Sequence, residues 1–397
     1  MIDSTEQLCA PIDFINARVP GYSGLQTIRI RGGRVEAIAP DLDASATATD
    51  LGGDRISLGA IDVQINGALG LAFPELTPKD TDVLQAICEY LWKQGIDGFL
   101  PTIVTTAPEK FRRSLETLSR FHPDPFTPAA DILGAHLEGP FLNPQKRGAH
   151  PENYLLPPTA DNLQRILGDH APQVKVITLA PELDGAHSLI PELRNLGMVV
   201  SLGHSQATAA EARRAFDLGA TMVTHAFNAM PPLHHREPGL LGAALSNPGV
   251  YCGTIADGEH VCPAMLDLLL RGARGEVFVV SDALAPLGLP DGVYPWDDRE
   301  MTVSRGTARL ADGTLAGTTV SVLAGAANLA KWGLCDPERA IALATEVPRR
   351  AIGLSGAIVG QPATRLLRWT VQGPSLTWRR LSEPPLPGAE SGSFSTV

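Results

Sequence analysis

The chain changes its hydrophobic rhythm near residue 58. Before that point short runs alternate apolar and polar positions between turns: Gln26 to Arg31 reads QTIRIR, Gly32-Gly33 is a turn signal, and Arg34 to Ile38 resumes. Period-two alternation around a Gly-Gly pair predicts hairpins with one covered face. From Leu58 the apolar runs become continuous and longer stretches separate them: IDVQI, GFLPTIV, DILGAHLEG, VKVITLA, MVVSLGHS, TMVTHAF, VYCGTIADG and EVFVVSDA. Runs of β-branched residues without polar alternation predict strands buried on both faces, as in a parallel sheet. Thr77-Pro78 with Asp80 predicts the start of a helix that stops at Gly95, and Ser205 the start of one that stops at Gly219.

These eight strands, with their crossover helices, predict an α/β chain whose residues 58–345 form a (β/α)₈ TIM barrel. No glycine-rich phosphate fingerprint follows any strand, which argues against a doubly wound sheet. Short β-like pieces return after Ile352, at Arg365 to Val371 and Leu376 to Leu381. Residues 1–57 and 346–381 are therefore expected to pair into a small β-sandwich domain, and residues 382–397, rich in Pro, Gly, Ser and Glu, to be a flexible tail.

Composition narrows the class. Hydrophobic residues are 44% and charged residues 19% of the chain, which excludes global disorder. A net charge of -11 argues against a polyanion-binding surface, so no nucleic-acid partner is expected. Five cysteines without a C-x-x-C pair predict reduced thiols and a cytoplasmic location. No leader is visible and no run approaches the roughly 18 apolar residues of a membrane span, so no membrane association is expected.

The chemistry lies in what ends the strands. An apolar run is followed at once by Glu138 (HLEGP), His204 (LGHS), His225 (VTHAFNAM), His260 (ADGEH) and Asp282 (VVSDA). The C-terminal strand ends of a barrel share one mouth, so these residues should converge there. Singly, each has an ordinary structural reading: a hydrogen-bonded histidine, or an acid that caps a helix. Together they point to a task, because ionisable groups crowded at one mouth are costly. His204, His225 and Glu138 are a zinc-type set that leaves a coordination position open. An aspartate at the last strand can carry a proton from water to a leaving group. The combination predicts metal-assisted hydrolysis of a C–N or C–O bond.

The motifs DVQING (Asp62 to Gly67), FLPTIVTT (Phe99 to Thr106), HLEGPFLNPQKRGAH (His136 to His150), GHS (Gly203 to Ser205), THAFNAM (Thr224 to Met230), REPGLLGA (Arg236 to Ala243), DGEHV (Asp257 to Val261) and SDA (Ser281 to Ala283) resemble, in order, the N-acetylglucosamine-6-phosphate deacetylase family of the amidohydrolase superfamily. HLEGPF followed by THAFNAM is a highly specific pairing. The resemblance implies hydrolysis of the acetamide of N-acetylglucosamine 6-phosphate to glucosamine 6-phosphate and acetate. It implies Glu138, His204 and His225 as metal ligands and Asp282 as general base and acid. It implies substrate contacts from Ala149, His150, Asn228, Ala229, Arg236, Asp257, His260 and the loop Leu315, Ala316 and Gly317, with Arg236 on the phosphate. It also implies a homodimer whose phosphate site draws on the neighbouring subunit.

One departure bears on the cofactor. Many amidohydrolases carry H-x-H on the first strand for a second metal, where this chain has Gln64-Ile65-Asn66. Neither amide supplies an imidazole donor, so one divalent ion per chain is expected: zinc first, with iron, cobalt or manganese allowed by the same donors. Gln64, Asn66 and His136 are left as residues that could touch or support that ion. The competing readings are an amidohydrolase of other specificity, a cyclic amidase or a deaminase, and a non-catalytic relative on the same fold.

Overall fold

Each of the eight continuous apolar runs forms a strand of one barrel in the computed structural model, which describes residues 11–381. The expected tail at 382–397, and Cys9, lie outside the described residues. The barrel strands are β1 (Ala60–Ile65), β2 (Ile96–Val104), β3 (Ala135–Glu138), β4 (Val174–Leu179), β5 (Val199–Leu202), β6 (Met222–Val223), β7 (Tyr251–Ile255) and β8 (Glu276–Val280). Each pairs in parallel with the next. The ring draws together just past β1 and β8, where Asn66 N–H donates to the Ala283 carbonyl at 2.7 Å and Asp282 N–H to that of Gln64 at 2.9 Å. Those closing bonds set the first and last strand ends side by side at the mouth.

Crossover helices cover the outside. Thr81–Lys93 buries Leu84, Ile87, Cys88 and Leu91, the one-sided spacing that an amphipathic helix requires. Each such aliphatic side chain contributes about 1.5–3 kcal/mol when withdrawn from water. The helix expected from Ser205 runs instead over Ala209–Asp217, capped by Thr208 with Glu211 in a reciprocal capping box. Ser205 lies in the turn ahead of it, where its hydroxyl donates to Glu182 Oε2 at 2.7 Å and accepts the Ala207 N–H at 2.9 Å.

The flanks form two small sheets. Ile12–Ala17, Gln26–Arg31, Arg34–Ala39 and Thr49–Asp50 make one; Arg55–Leu58, Leu366–Gln372 and Ser375–Arg380 make the other. Ile28, Ile30, Val35, Ile56 and Leu366 share a core between them. Residues 346–351 are a helix whose Val347 and Ala351 pack into the barrel core. No helix of the described residues is long and apolar enough to cross a membrane. Cys88, Cys252, Cys262 and Cys335 carry free thiols.

One element lies inside the stretch expected to be barrel alone. Between β8 and the helix Val322–Lys331, four antiparallel strands form a separate sheet: Gly292–Trp296, Arg299–Ser304, Thr307–Leu310 and Leu315–Thr318. Asp297-Asp298, Arg305-Gly306 and Asp312-Gly313 lie in its turns, and Asp297, Arg305 and Gly306 adopt positive φ of 48°, 49° and 80°. Such turns match the twist of paired strands.

At the opposite end of the barrel, Asp97, the second residue of β2, is fully buried. Its Oδ2 accepts from Gly59 N–H at 2.8 Å and Arg349 Nη2 at 3.0 Å, and its Oδ1 from Arg380 Nη1 at 2.6 Å. The Arg380 guanidinium lies 3.6 Å over the Trp92 ring. This cluster ties the last flank strand and the helix 346–351 to the foot of the barrel.

Candidate active site

The strand ends deliver their polar residues as the barrel geometry demands. Glu138 closes β3, and His204, His225 and Asp282 each follow a strand by two residues. Those three adopt left-handed backbone conformations, with φ of 48°, 28° and 48°. For non-glycine residues this costs about 1–3 kcal/mol each, so the surrounding structure must hold them there.

Glu138, His204 and His225 are buried and converge on one point. Glu138 Oε1 lies 3.1 Å from His204 Nε2 and 3.0 Å from His225 Nε2, and the two Nε2 atoms are 3.0 Å apart. His204 Nδ1 donates to the Lys146 carbonyl at 2.9 Å, which leaves a lone pair on Nε2. That lone pair points at a carboxylate oxygen, an arrangement that repels unless a positive charge lies between them. Donors about 2.0–2.1 Å from a tetrahedral zinc stand about 3.3 Å from one another, close to the separations here. The set fits one divalent ion.

Asp282 stands beside this trio. Burial and the Glu138 charge push its carboxyl up to about 7, against the pull of His225, His260 and Asn66. Its Oδ1 accepts from Asn66 Nδ2 at 2.7 Å and Gln64 Nε2 at 3.3 Å, and Gln64 Nε2 also reaches Glu138 Oε1 at 3.0 Å. The two amides thus spend their N–H donors on the two carboxylates. No hydrogen bond reaches Asp282 Oδ2 among the described residues.

Two further histidines complete the mouth. The His150 ring stands edge-on to His204 with centroids 4.5 Å apart. Its Nδ1 accepts the Thr105 N–H at 3.3 Å, which places the ring proton on Nε2. Burial, aided by His204, holds His150 down to about 3, so it stays neutral. His260 Nδ1 lies 2.7 Å from Asp257 Oδ2, and Asp257 Oδ1 takes the backbone N–H of Glu259 and His260 at 2.9 Å each.

With this geometry in place, the comparisons with known proteins are decisive. No protein-family model matches the chain. It is 35% identical over 360 residues to an N-acetylglucosamine-6-phosphate deacetylase of Mus musculus, across 87% of this chain and 88% of the relative. The chain belongs to the N-acetylglucosamine-6-phosphate deacetylase family. It is also 34% identical over 338 residues to an N-acetylgalactosamine-6-phosphate deacetylase of Escherichia coli O157:H7, covering 85% of this chain and 88% of that one. Among solved structures, a mutant N-acetyl-D-glucosamine-6-phosphate deacetylase from Mycobacterium smegmatis, in complex with N-acetyl-D-glucosamine-6-phosphate, superposes with a TM-score of 0.81. Identity there is 29%, over 94% of this chain and 98% of that one.

Within this deacetylase fold the remaining sequence-derived residues divide. Ala149 is drawn into the core of the inserted sheet, and its carbonyl accepts from Arg299 Nη2 at 2.8 Å. Leu315, Ala316 and Gly317 are the last strand of that sheet. A Cβ on Gly317 would stand 2.7 Å from the Asp282 carbonyl, so only glycine lets the strand pack there. Asn228 turns its amide back onto the carbonyls of His225 and Ala226 at 3.2 and 3.3 Å, and Ala229 takes a positive φ of 50°. Arg236 is exposed and its guanidinium has no intramolecular partner among the described residues. His136 does not reach the trio: its Nδ1 donates to the Val63 carbonyl at 3.1 Å and its Nε2 accepts from Thr178 Oγ1 at 2.8 Å. It belongs to a polar chain inside the barrel that continues through Thr224 to Ser201.

Sequence reasoning missed Glu182 and Arg299. Glu182 follows β4 by three residues and obeys the same strand-end rule as Glu138. Arg299 had no such signal, because the sheet that carries it was not expected.

Proposed function

We propose that the chain hydrolyses the acetamide of N-acetylglucosamine 6-phosphate to glucosamine 6-phosphate and acetate. The observation that carries this is the meeting of the trio, with separations of 3.0 and 3.1 Å, and Asp282 at one barrel mouth. Glu138, His204 and His225 would hold one divalent ion, zinc first, which when bound acidifies water and polarises a carbonyl oxygen. Asp282 Oδ2, the carboxylate oxygen without a hydrogen bond among the described residues, takes the proton of the attacking water and returns it to the departing amine. Gln64 and Asn66 fix the other oxygen and so aim Oδ2. The neutral His150 presents its Nε2–H to the oxygen on which negative charge develops. His260, oriented by Asp257, is placed to accept from a sugar hydroxyl. Arg236 is free to take the phosphate of its own or a neighbouring subunit's substrate in a homodimer, a contact suited to a guanidinium fork. Binding there would orient the amide for attack.

A second reading follows from the Escherichia coli relative: the galacto epimer of the same substrate. Initial-rate assays on N-acetylglucosamine 6-phosphate, N-acetylgalactosamine 6-phosphate and unphosphorylated N-acetylglucosamine separate the cases. The expected result is the highest kcat/KM on the first and a drop of at least ~10² without the phosphate. Faster turnover of the galacto substrate would replace the first reading by the second. Equal turnover with and without phosphate would remove the role given to Arg236.

A further inference from the structure

Resting on that reading of the trio, we propose that Glu182 is a positioning residue: its carboxylate locks together the loop after Glu138 and the loop bearing His204, so that both meet the metal ion. Its Oε1 accepts from Asn143 Nδ2 at 2.8 Å and from the backbone N–H of Gln206 at 2.6 Å, and its Oε2 from Ser205 Oγ at 2.7 Å. Asn143 lies on the segment that leaves Glu138, while Ser205 and Gln206 directly follow His204.

Two more bonds join the same loops. Asn143 N–H donates to the His204 carbonyl at 3.0 Å, and His204 Nδ1 donates to the Lys146 carbonyl at 2.9 Å. The ring direction of His204 therefore depends on where residues 143–146 sit, and Glu182 pins that segment. His204 also holds a left-handed backbone, with φ of 48°, a conformation kept only where neighbours enforce it.

The carboxylate has no other occupation. It pairs with no lysine, arginine or histidine among the described residues, and it is not one of the three converging ligands. Its three hydrogen bonds go entirely to the two loops. Loss of the carboxylate would strand an amide, a hydroxyl and a backbone N–H in a half-buried site, and the loops would move to satisfy them. A glutamine of the same length keeps the pattern: its oxygen accepts from Asn143 and Gln206, and its NH₂ donates to Ser205.

The test uses the full chain loaded with zinc, as parent, Glu182→Ala and Glu182→Gln. Zinc release to a chromogenic chelator and the thermal midpoint of the metal-free protein are both measured. We expect Glu182→Ala to release zinc at least ~10-fold faster, as loss of a ligand-orienting partner does. Its metal-free midpoint should stay within about 2 °C of the parent, and Glu182→Gln should release zinc as the parent does. Parental release by Glu182→Ala would overturn the proposal, as would faster release matched by a lowered metal-free midpoint, or a glutamine variant as leaky as the alanine. A parent that holds no zinc would overturn the reading of the trio, and the proposal with it.

Discussion

Two buried ionic clusters sit at opposite ends of the same barrel, and they are built on opposite rules. At the foot, Asp97 meets two arginines and a backbone N–H, and each of its oxygens accepts a hydrogen bond. Burial lowers Arg349 to about 10, but with Asp97 beside it the guanidinium stays charged at neutral pH. At the mouth, two carboxylates share one amide donor and two imidazole nitrogens face one carboxylate oxygen. Acceptor atoms are crowded there around a point that suits a divalent cation. A cluster built for stability pairs its charges, whereas a cluster built for chemistry gathers donors that suit a cation.

The comparison can be broken from either end. The largest effect is expected for Asp282→Asn, which should lower kcat by at least ~10² with the metal content unchanged, because an amide cannot shuttle the proton. Steady-state kinetics with elemental analysis checks this. The same variant removes one like charge from the mouth, so denaturant unfolding of its metal-free form should show no loss of stability. Near-normal turnover would remove Asp282 from the proton path.

Asp97→Ala should act in reverse. It removes the carboxylate from beside the buried Arg349 guanidinium and should cost about 3–5 kcal/mol in denaturant unfolding, while kcat of the folded, metal-loaded fraction stays near the parent value. An Asp97→Ala protein as stable as the parent would show that the foot is not a structural lock.

The smallest effect is expected for Asn66→Ala. The Asn66 amide favours the charged form of Asp282, and its loss raises a carboxyl that burial already pushes to about 7. A general base works only when deprotonated, so the acid limb of kcat/KM should move to higher pH while the alkaline limb stays. A limb that moves to lower pH would show that the amide does not hold the carboxylate.

The helix-to-strand grammar and the strand-end residues were legible because both are local. β-branched runs such as EVFVV state their burial in five consecutive letters, and Asp282 follows two residues later. The inserted sheet at 292–318 was passed over although its turn signals, Asp297-Asp298, Arg305-Gly306 and Asp312-Gly313, are as local as Gly32-Gly33. Eight continuous apolar runs already account for a barrel, and the alternation of MTVS and TARL belongs to a sheet outside it. The helix start at Thr208 was missed for another reason. Ser205 and Thr208 are both sound caps by local chemistry, and the tertiary fold decides between them: Glu182, three residues past β4, and the Ala207 N–H hold the Ser205 hydroxyl in the turn ahead of the helix.

The sequence alone determined the barrel, because two-sided burial writes a continuous apolar run into each strand. It also determined where the site's polar residues gather, because Glu138, His204, His225 and Asp282 each stand where an apolar run stops. Tertiary structure decided the rest. Asp97 pairs with Arg349 and Arg380 across 252 and 283 residues, and Gln64 reaches Glu138 across 74 and Asp282 across 218. No local period records such distances. Only the closing of the ring places β1 beside β8, and only then do the amides of Gln64 and Asn66 become donors to the Asp282 carboxylate.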